Sequence, residues 1–301
     1  RMESEKEEPI IAFRDFSVEG VDRLGRRGVK LRSICLEIRA GEIVVLGGES
    51  GSGKSLLCEY TCGIRRNKYR VLAGEIIVDG TDVLAKRSSV DASEVTYIGK
   101  DSISGFNPHH SVEHSLKEFT RLLSKNSRGS ERVDWNEAFY AVGIVEPERL
   151  LPLLVGELPS LMLLRLSLMR ALLSDSKIIV CDEATSNLDR VAESQFIDLV
   201  SQIREEQNKT FVLGMGRLRN ADRFADRILV LFEGGILESG KAAEMMASPT
   251  FRYTKEFLAT SPRLTHNPHL LPLISHEALR EAETKVHGEA RLPPNKEEEG
   301  A

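Results

Sequence analysis

The fourteen residues Ile43-Val44-Val45-Leu46-Gly47-Gly48-Glu49-Ser50-Gly51-Ser52-Gly53-Lys54-Ser55-Leu56 decide how the rest of this chain reads. Their first four residues are an apolar run of the kind found in strands buried on both faces. Gly48–Ser55 then matches G-x-x-x-x-G-K-[ST]. Glycines at these positions let a loop wrap a phosphate with its backbone N–H groups turned inward. The stretch Leu56–Tyr60 can open a helix, whose N-terminus adds a positive dipole. Lys54 is spaced to reach β- and γ-phosphates and Ser55 to hold Mg²⁺. A chance match in a chain of this length is expected on the order of one time in a hundred, and the strand-before, helix-after setting lowers that further. Gly48, Glu49, Ser50, Gly51, Ser52, Gly53, Lys54, Ser55 and Leu56 are therefore expected to bind a nucleotide.

Further apolar runs at Ile178–Cys181, Phe211–Leu213 and Ile228–Leu231 repeat the buried-strand signal. Between the first two, Phe196, Leu199, Val200 and Ile203 fall on one face of a helix. Strand, helix, strand in that order predicts parallel crossovers and an α/β fold. Phe13–Val18, Leu31–Ile38 and Glu75–Val78 instead alternate around turns at Gly25–Gly28 and Asp79-Gly80, which predicts an antiparallel β layer beside the main sheet. Residues 101–172 lack strand signals and read as an inserted α-helical lobe. The apolar stretch Leu161–Leu173 is expected to be a buried helix of that lobe, because it is too short to span a bilayer and contains Arg165 and Arg170. From about residue 263 the pattern dissolves into an acidic, Pro-containing tail, with room for one short helix at 276–287.

The strand Ile178–Cys181 runs into Asp182-Glu183. A carboxylate at a strand's C-terminal end, beside a phosphate loop, can hold Mg²⁺, and the next one can orient or deprotonate the attacking water. Asp182 and Glu183 take those roles here. With 301 residues, a net charge of −5 and a pI near 5.9, the chain has no global basic field, so a nucleic-acid partner is not expected. Its four cysteines, Cys35, Cys58, Cys62 and Cys181, match no metal framework and read as free, mostly buried thiols. No apolar run approaches the ~18–20 residues of a membrane span, and the polar start lacks a signal-peptide core. A cytoplasmic chain is expected, peripheral to the membrane's inner face through partners that cross it.

Asp182-Glu183-Ala184-Thr185-Ser186-Asn187-Leu188-Asp189 resembles the Walker B and D-loop of ABC ATPases, and the order of motifs is that family's over residues 10 to 240. The resemblance implies a P-loop NTPase (RecA-like) core over 9–100 and 173–240 carrying the antiparallel β layer, with the helical subdomain at 101–172. It implies ATP and Mg²⁺ as ligands, and Asp189 facing the site of a second subunit. Asp101–Pro108 is similar to the segment after the Q-loop in oligopeptide, dipeptide and nickel importers. Ser248–Leu258 with Ser261-Pro262 resembles their C-terminal extension, here at 241–262. Some members carry a cysteine cluster beyond this point. This chain has no cysteine after Cys181, so no iron–sulfur cluster is expected.

Several family positions are altered. The signature, Leu-Ser-Gly-Gly-Gln in the family, aligns with Leu158, Pro159, Ser160, Leu161 and Met162. Both glycines are gone, and Pro159 removes an N–H from a segment that normally offers such groups to the partner's γ-phosphate. Lys100 stands at the Q-loop glutamine. A protonated lysine can neither ligate Mg²⁺ nor accept from water, but it can pair with a phosphate or with Glu183. Gly216 stands at the switch histidine, and Gly20 at the aromatic that stacks on adenine. His109, His110 and His114 form a histidine group in the helical lobe, more readily a solvated patch than a metal site.

These losses imply an ATPase-type chain of low intrinsic activity. The expected partners are a sister ABC ATPase in an asymmetric heterodimer, two membrane-spanning permease subunits and a solute-binding protein. The alternatives are a catalytically inactive, nucleotide-gated structural subunit and a soluble non-transport ABC ATPase.

Overall fold

Parallel strands buried on both faces need helices on either side, and the chain supplies them in alternation. The computed structural model describes residues 8–21, 25–85, 94–101, 105–125, 133–259 and 274–288. In chain order it runs β1 (Ile11–Val21), β2 (Arg27–Ile38), β3 (Ile43–Gly47), α1 (Lys54–Thr61), β4 (Tyr69–Val78), β5 (Thr81–Asp82) and β6 (Val95–Ile98). Then follow α2 (Val112–Lys125), α3 (Trp135–Ala141), α4 (Pro147–Leu150) and α5 (Ser160–Leu173). The last part holds β7 (Ile178–Asp182), α6 (Arg190–Gln207), β8 (Thr210–Gly214), β9 (Arg227–Phe232), β10 (Gly235–Lys241), α7 (Ala242–Ala247), α8 (Arg252–Ala259) and α9 (His276–His287).

Among the described residues the larger sheet has the order β10-β9-β3-β8-β7-β6, and the smaller has β2-β1-β4-β5. In the larger sheet β9, β3, β8, β7 and β6 are mutually parallel, and β10 returns antiparallel. In β3, β7 and β8 every residue is buried, as their unbroken apolar runs predict. Burying each Val, Ile or Leu of these strands contributes about 1.5–3 kcal/mol before entropy is subtracted. The smaller sheet is antiparallel, and its alternation is interrupted: register shifts fall between Phe13 and Phe16, with Asp15 at φ 46°. That bulge keeps both Phe13 and Phe16 inside.

Phe196, Leu199, Val200 and Ile203 are the buried face of α6, as their spacing predicts. α5 is a buried helix, with Leu163, Leu164, Leu166, Leu168, Met169 and Ala171 all inside. A helix also occupies 276–287, capped by Ser275, whose side chain accepts from the Ala278 N–H. The strand β6 carries no signal that the sequence reading used. Ser102–Ser104, Ser261-Pro262 and the tail at 263–273 and 289–301 lie outside the described residues. Among those described, no helix is long and apolar enough to cross a membrane.

Candidate functional site

Because β3, β6, β7 and β8 are parallel, their carboxyl ends open on one edge. Gly48 follows β3, Lys100 follows β6, Glu183 follows β7 and Gly216 follows β8. Sequence positions more than a hundred residues apart thus meet there, as ligand sites do at such edges.

The loop after β3 closes with glycine at the points where only glycine fits. A Cβ on Gly48 would stand 2.5 Å from the Leu231 carbonyl oxygen, and one on Gly53 2.9 Å from Leu31, both at positive φ. Lys54 begins α1 and is 3% exposed; its Nζ donates to the carbonyl oxygens of Gly48 (2.7 Å) and Glu49 (3.0 Å). Ser52 Oγ is buried without a hydrogen-bond partner inside this loop. The Leu56 side chain is buried in the core shared by the β layer and the main sheet, so its backbone is what it can offer a ligand.

Ser55 Oγ donates to Asp182 Oδ1 at 3.0 Å, and Tyr97 Oη donates to Asp182 Oδ2 at 2.9 Å. Burial pushes the Asp182 carboxyl above the ordinary carboxylate range, while these two hydrogen bonds pull the other way. Burial and the Asp182 charge both push the Tyr97 phenol up. A hydroxyl beside a carboxylate is a hard oxygen donor pair of the kind Mg²⁺ takes together with phosphate oxygens, and the glycine-only loop fits a phosphate. Below it lie Cys58, Cys62 and Cys181, all buried; Cys181 is pushed up to about 12 by burial, which keeps it a thiol. Cys35 is exposed.

Glu183 takes an unusual backbone, φ 49°, fixed by its N–H donating to the Gly214 carbonyl at 2.9 Å. A non-glycine residue held there costs of the order of 1 kcal/mol or more and is typical of functional sites. Its carboxylate lies between two ammonium groups, 3.4 Å from Lys54 and 3.5 Å from Lys100. Lys100 is 61% exposed, so this second pair is screened by water. Gly216 lines a cavity of about 60 Å³ together with Glu183, Thr185, Ser186, Glu193, Met215 and Arg217. A Cβ on Gly216 would meet nothing within 4 Å.

The altered segment Leu158–Met162 leads into α5. Pro159 is its N-cap and supplies no side-chain cap; Leu158 is buried, and Leu161 and Met162 are half-buried against the core of the helical lobe. Asp189 accepts from the Val191 (2.9 Å) and Ala192 (2.8 Å) N–H groups as the N-cap of α6, so its carboxylate is engaged within its own chain. At Gly20 a Cβ would stand 2.5 Å from the ring of Tyr69, so the aromatic at this place belongs to the neighbouring strand β4.

Two contributors escaped the sequence reading. Tyr97 sits on β6, a four-residue strand with no alternation or apolar run to mark it. Tyr253 of α8 donates to Glu49 Oε2 at 3.5 Å across 204 positions, which tethers the loop to the C-terminal helices.

Residues 31–186, just over half of the chain, match the family profile described as ABC transporter. The peptidoglycan transport ATP-binding protein YejF of Agrobacterium fabrum is 28% identical over 87% of this chain and 49% of its own length. An oligopeptide transport ATP-binding protein, OppD of Lactococcus lactis, is 27% identical over 76% of this chain and 69% of its own. The nickel import ATP-binding protein NikD of Rhodospirillum rubrum is 29% identical over 76% of this chain and 87% of its own. The chain thus spans only about half the length of the first of these relatives. Among solved structures, cbiO1 of Clostridium perfringens, part of the ABC transporter complex cbiONQ, aligns with TM-score 0.63 at 19% identity, over 80% of this chain and 92% of that one. A dimeric ATP-binding cassette bound to ADP and Pi aligns with TM-score 0.62 at 20% identity, over 77% and 98%. At these identities the likeness is one of fold.

Proposed function

Since the chain belongs to the ABC transporter family, we propose that it is the ATP-binding subunit of an importer and forms one half of an asymmetric pair. The observation that carries this reading is the convergence of Lys54, Ser55, Asp182 and Glu183 at one sheet edge, with Ser55 3.0 Å from Asp182 and Lys54 3.4 Å from Glu183. Relatives named for peptidoglycan, oligopeptide and nickel transport support an importer of peptides or small chelates. On this reading the nucleotide-binding body is 9–100 and 173–240, the helical subdomain 101–172 and the importer extension 241–262.

In the mechanism, the N–H groups of Gly48–Ser55 wrap the phosphates, and Lys54 exchanges its carbonyl partners for phosphate oxygens. Ser55 and Asp182 would hold Mg²⁺, which would supply charge neutralisation to the bound phosphates. Glu183 orients the attacking water and accepts its proton. To do so its carboxylate must release one of the two ammonium groups that engage it. Lys100 is the one that water can readily displace, since an exposed pair holds by only about 0.2–1 kcal/mol. The partners are a sister ATPase, which would receive the altered segment Leu158–Met162 opposite its own phosphate loop, two membrane-spanning permeases and a solute-binding protein. Docking on the permeases would hold the chain at the cytoplasmic face of the membrane.

A second reading, a subunit gated by ATP binding that scarcely turns over, is favoured by the Lys100–Glu183 pair and by the open space at Gly216. Steady-state hydrolysis and Mg-ATP titration of the chain, alone and with its sister subunit, separate the two. Tight binding with turnover only in the mixed pair supports the first reading, and binding without turnover in either supports the second. Absence of binding overturns both.

A further inference from the structure

We propose that His110, His114 and Glu118 form a site for one divalent transition-metal ion of the Zn²⁺, Ni²⁺ or Cu²⁺ class, remote in character from the Mg²⁺ donors of the phosphate loop. His114 and Glu118 stand one turn apart on α2, and His110 lies in the turn that leads into it. His110 Nδ1 is 3.1 Å from Glu118 Oε2, and His114 Nε2 is 3.6 Å from Glu118 Oε1. The imidazole rings meet edge to face with centroids 4.3 Å apart. One donor atom from each of the three residues lies within 4.8 Å of the others. Donors bound to one ion at ~2.0–2.2 Å stand roughly 3–3.5 Å apart, so closure on an ion requires small side-chain adjustments and no backbone movement.

The surroundings leave the three side chains accessible to an ion. When Nδ1 ligates, His110 Nε2 carries the hydrogen; it lies 3.1 Å from Asn107 Nδ2, itself a donor, so ligation requires the Asn107 amide to turn and present its oxygen. In this structure Asn107 Oδ1 accepts from the His109 N–H at 3.0 Å, a bond that such a turn gives up, and the His114 N–H donates to Ser111 Oγ at 3.2 Å. The nearest lysine on this helix, Lys117, is drawn aside by Glu113 at 2.5 Å and leaves Glu118 to the histidines. Side-chain exposures of 30%, 53% and 49% leave an entry path and room for water on the remaining coordination positions. Two imidazoles with one carboxylate suit borderline cations and discriminate against Mg²⁺ and Ca²⁺, which take oxygen donors.

An ion here would brace the turn before α2. That turn is already joined to the 3₁₀ turn Val155–Glu157 before α5: Val155 N–H donates to the His110 carbonyl at 2.9 Å, Gly156 N–H to the Pro108 carbonyl at 3.0 Å, and Ser111 bridges Leu154. The site therefore sits on the packing that leads to Leu158–Met162.

The test titrates Co²⁺ into the full chain, free of any affinity tag and of nucleotide, in excess Mg²⁺. The expected result is one saturable equivalent with a ligand-field spectrum lacking a thiolate charge-transfer band, displaced by Zn²⁺. His114→Ala and Glu118→Gln should each weaken binding at least tenfold, and His109→Ala should leave it unchanged. Zn²⁺ should raise the melting temperature of the wild type and of His109→Ala, and not of the other two. All three positions are at the surface, and melting without metal checks that the variants fold. No saturable binding, or an affinity indifferent to His114→Ala and Glu118→Gln, overturns the site.

Discussion

The phosphate cradle and the ring of positions around it are built on different principles. In the cradle, Lys54 at the start of α1 and Asp182 at the end of β7 are 3% and 5% exposed, and each has two or more fixed partners. Around it, Lys100 is 61% exposed, Gly216 has no side chain, and the segment before α5 starts its helix without a side-chain cap. Changing a buried, bonded group leaves its partners unsatisfied, which costs about 1–3 kcal/mol, whereas exposed positions change freely. On the proposed reading, holding a nucleotide and turning it over are separable properties of this fold. The cradle is tied into the core, and the ring is not.

The comparison breaks first at Lys54. Lys54→Ala removes the ammonium that would bind phosphate oxygens at the floor of the loop. Mg-ATP affinity should fall by ~10²-fold or more, since the charged hydrogen bonds from Lys54 to phosphate contribute about 1.5–3 kcal/mol each. Retained tight binding, read by calorimetric titration, would mean that the loop is not the nucleotide site.

Glu183→Gln should separate the two properties. Loss of a positioned general base costs 10²–10⁴-fold in rate, so whatever turnover the mixed pair shows from this chain's own site should drop by ~10²-fold. Nucleotide affinity should stay within a few-fold, because the amide still fits the strained backbone at φ 49°. If turnover is unchanged, hydrolysis belongs to the sister's site alone.

Lys100→Gln combined with Gly216→His attacks the ring from the other side. The glutamine frees Glu183 from its exposed ammonium, and the imidazole has room to stand, since a Cβ at 216 meets nothing within 4 Å and the cavity it shares with Glu183 is about 60 Å³. Turnover should rise roughly tenfold, a fraction of the 10²–10⁴ that a positioned proton-transfer group contributes. No rise would mean that Lys100 and Gly216 do not limit turnover at this chain's own site.

The contrast between cradle and ring also governs what was legible in the sequence. β3, β7 and β8 announced themselves because burial on both faces requires unbroken apolar runs, and the glycines of the loop because only glycine clears Leu231 and Leu31. The helix face of α6 was legible from four positions. β6 was not: Val95-Thr96-Tyr97-Ile98 is too short to establish a period, and its place at the sheet edge comes from pairing with β7, 83 positions away in the chain. The bulge at Asp15 broke the alternation that the β layer was read from. The Lys100–Glu183 pair was legible only as one of two options, because choosing between a phosphate and a carboxylate needs the side-chain distance. For the same reason the motif window did not say whether Leu56 meets a ligand through its backbone or its side chain, and the side chain is buried.

Tyr97 and Tyr253 sharpen the comparison at its finest scale, since both brace the cradle from elements the motifs do not include. Tyr97→Phe deletes the hydroxyl that fixes Asp182 Oδ2. A single hydrogen bond to a charged group is worth about 1.5–3 kcal/mol in full, but Ser55 still holds the other oxygen at 3.0 Å. The expected loss in Mg²⁺-dependent nucleotide affinity is therefore ~3–10-fold, with Mg²⁺-independent binding unchanged.

Tyr253→Phe should act more weakly. Its contact to Glu49 is 3.5 Å long, at the limit of a hydrogen bond, and the Glu49 carboxylate is at the exposed tip of the loop. The ring keeps its place through edge contact with Phe232, at 4.9 Å between centroids, and stacking on Phe257 at 6.2 Å. Only the tether is lost, so nucleotide affinity should fall by less than ~3-fold and the melting temperature should barely move. A larger effect would show that the C-terminal helices set the loop's conformation, and that the cradle is not as self-contained as its burial indicates. No effect would leave Tyr253 a core residue whose hydroxyl is incidental.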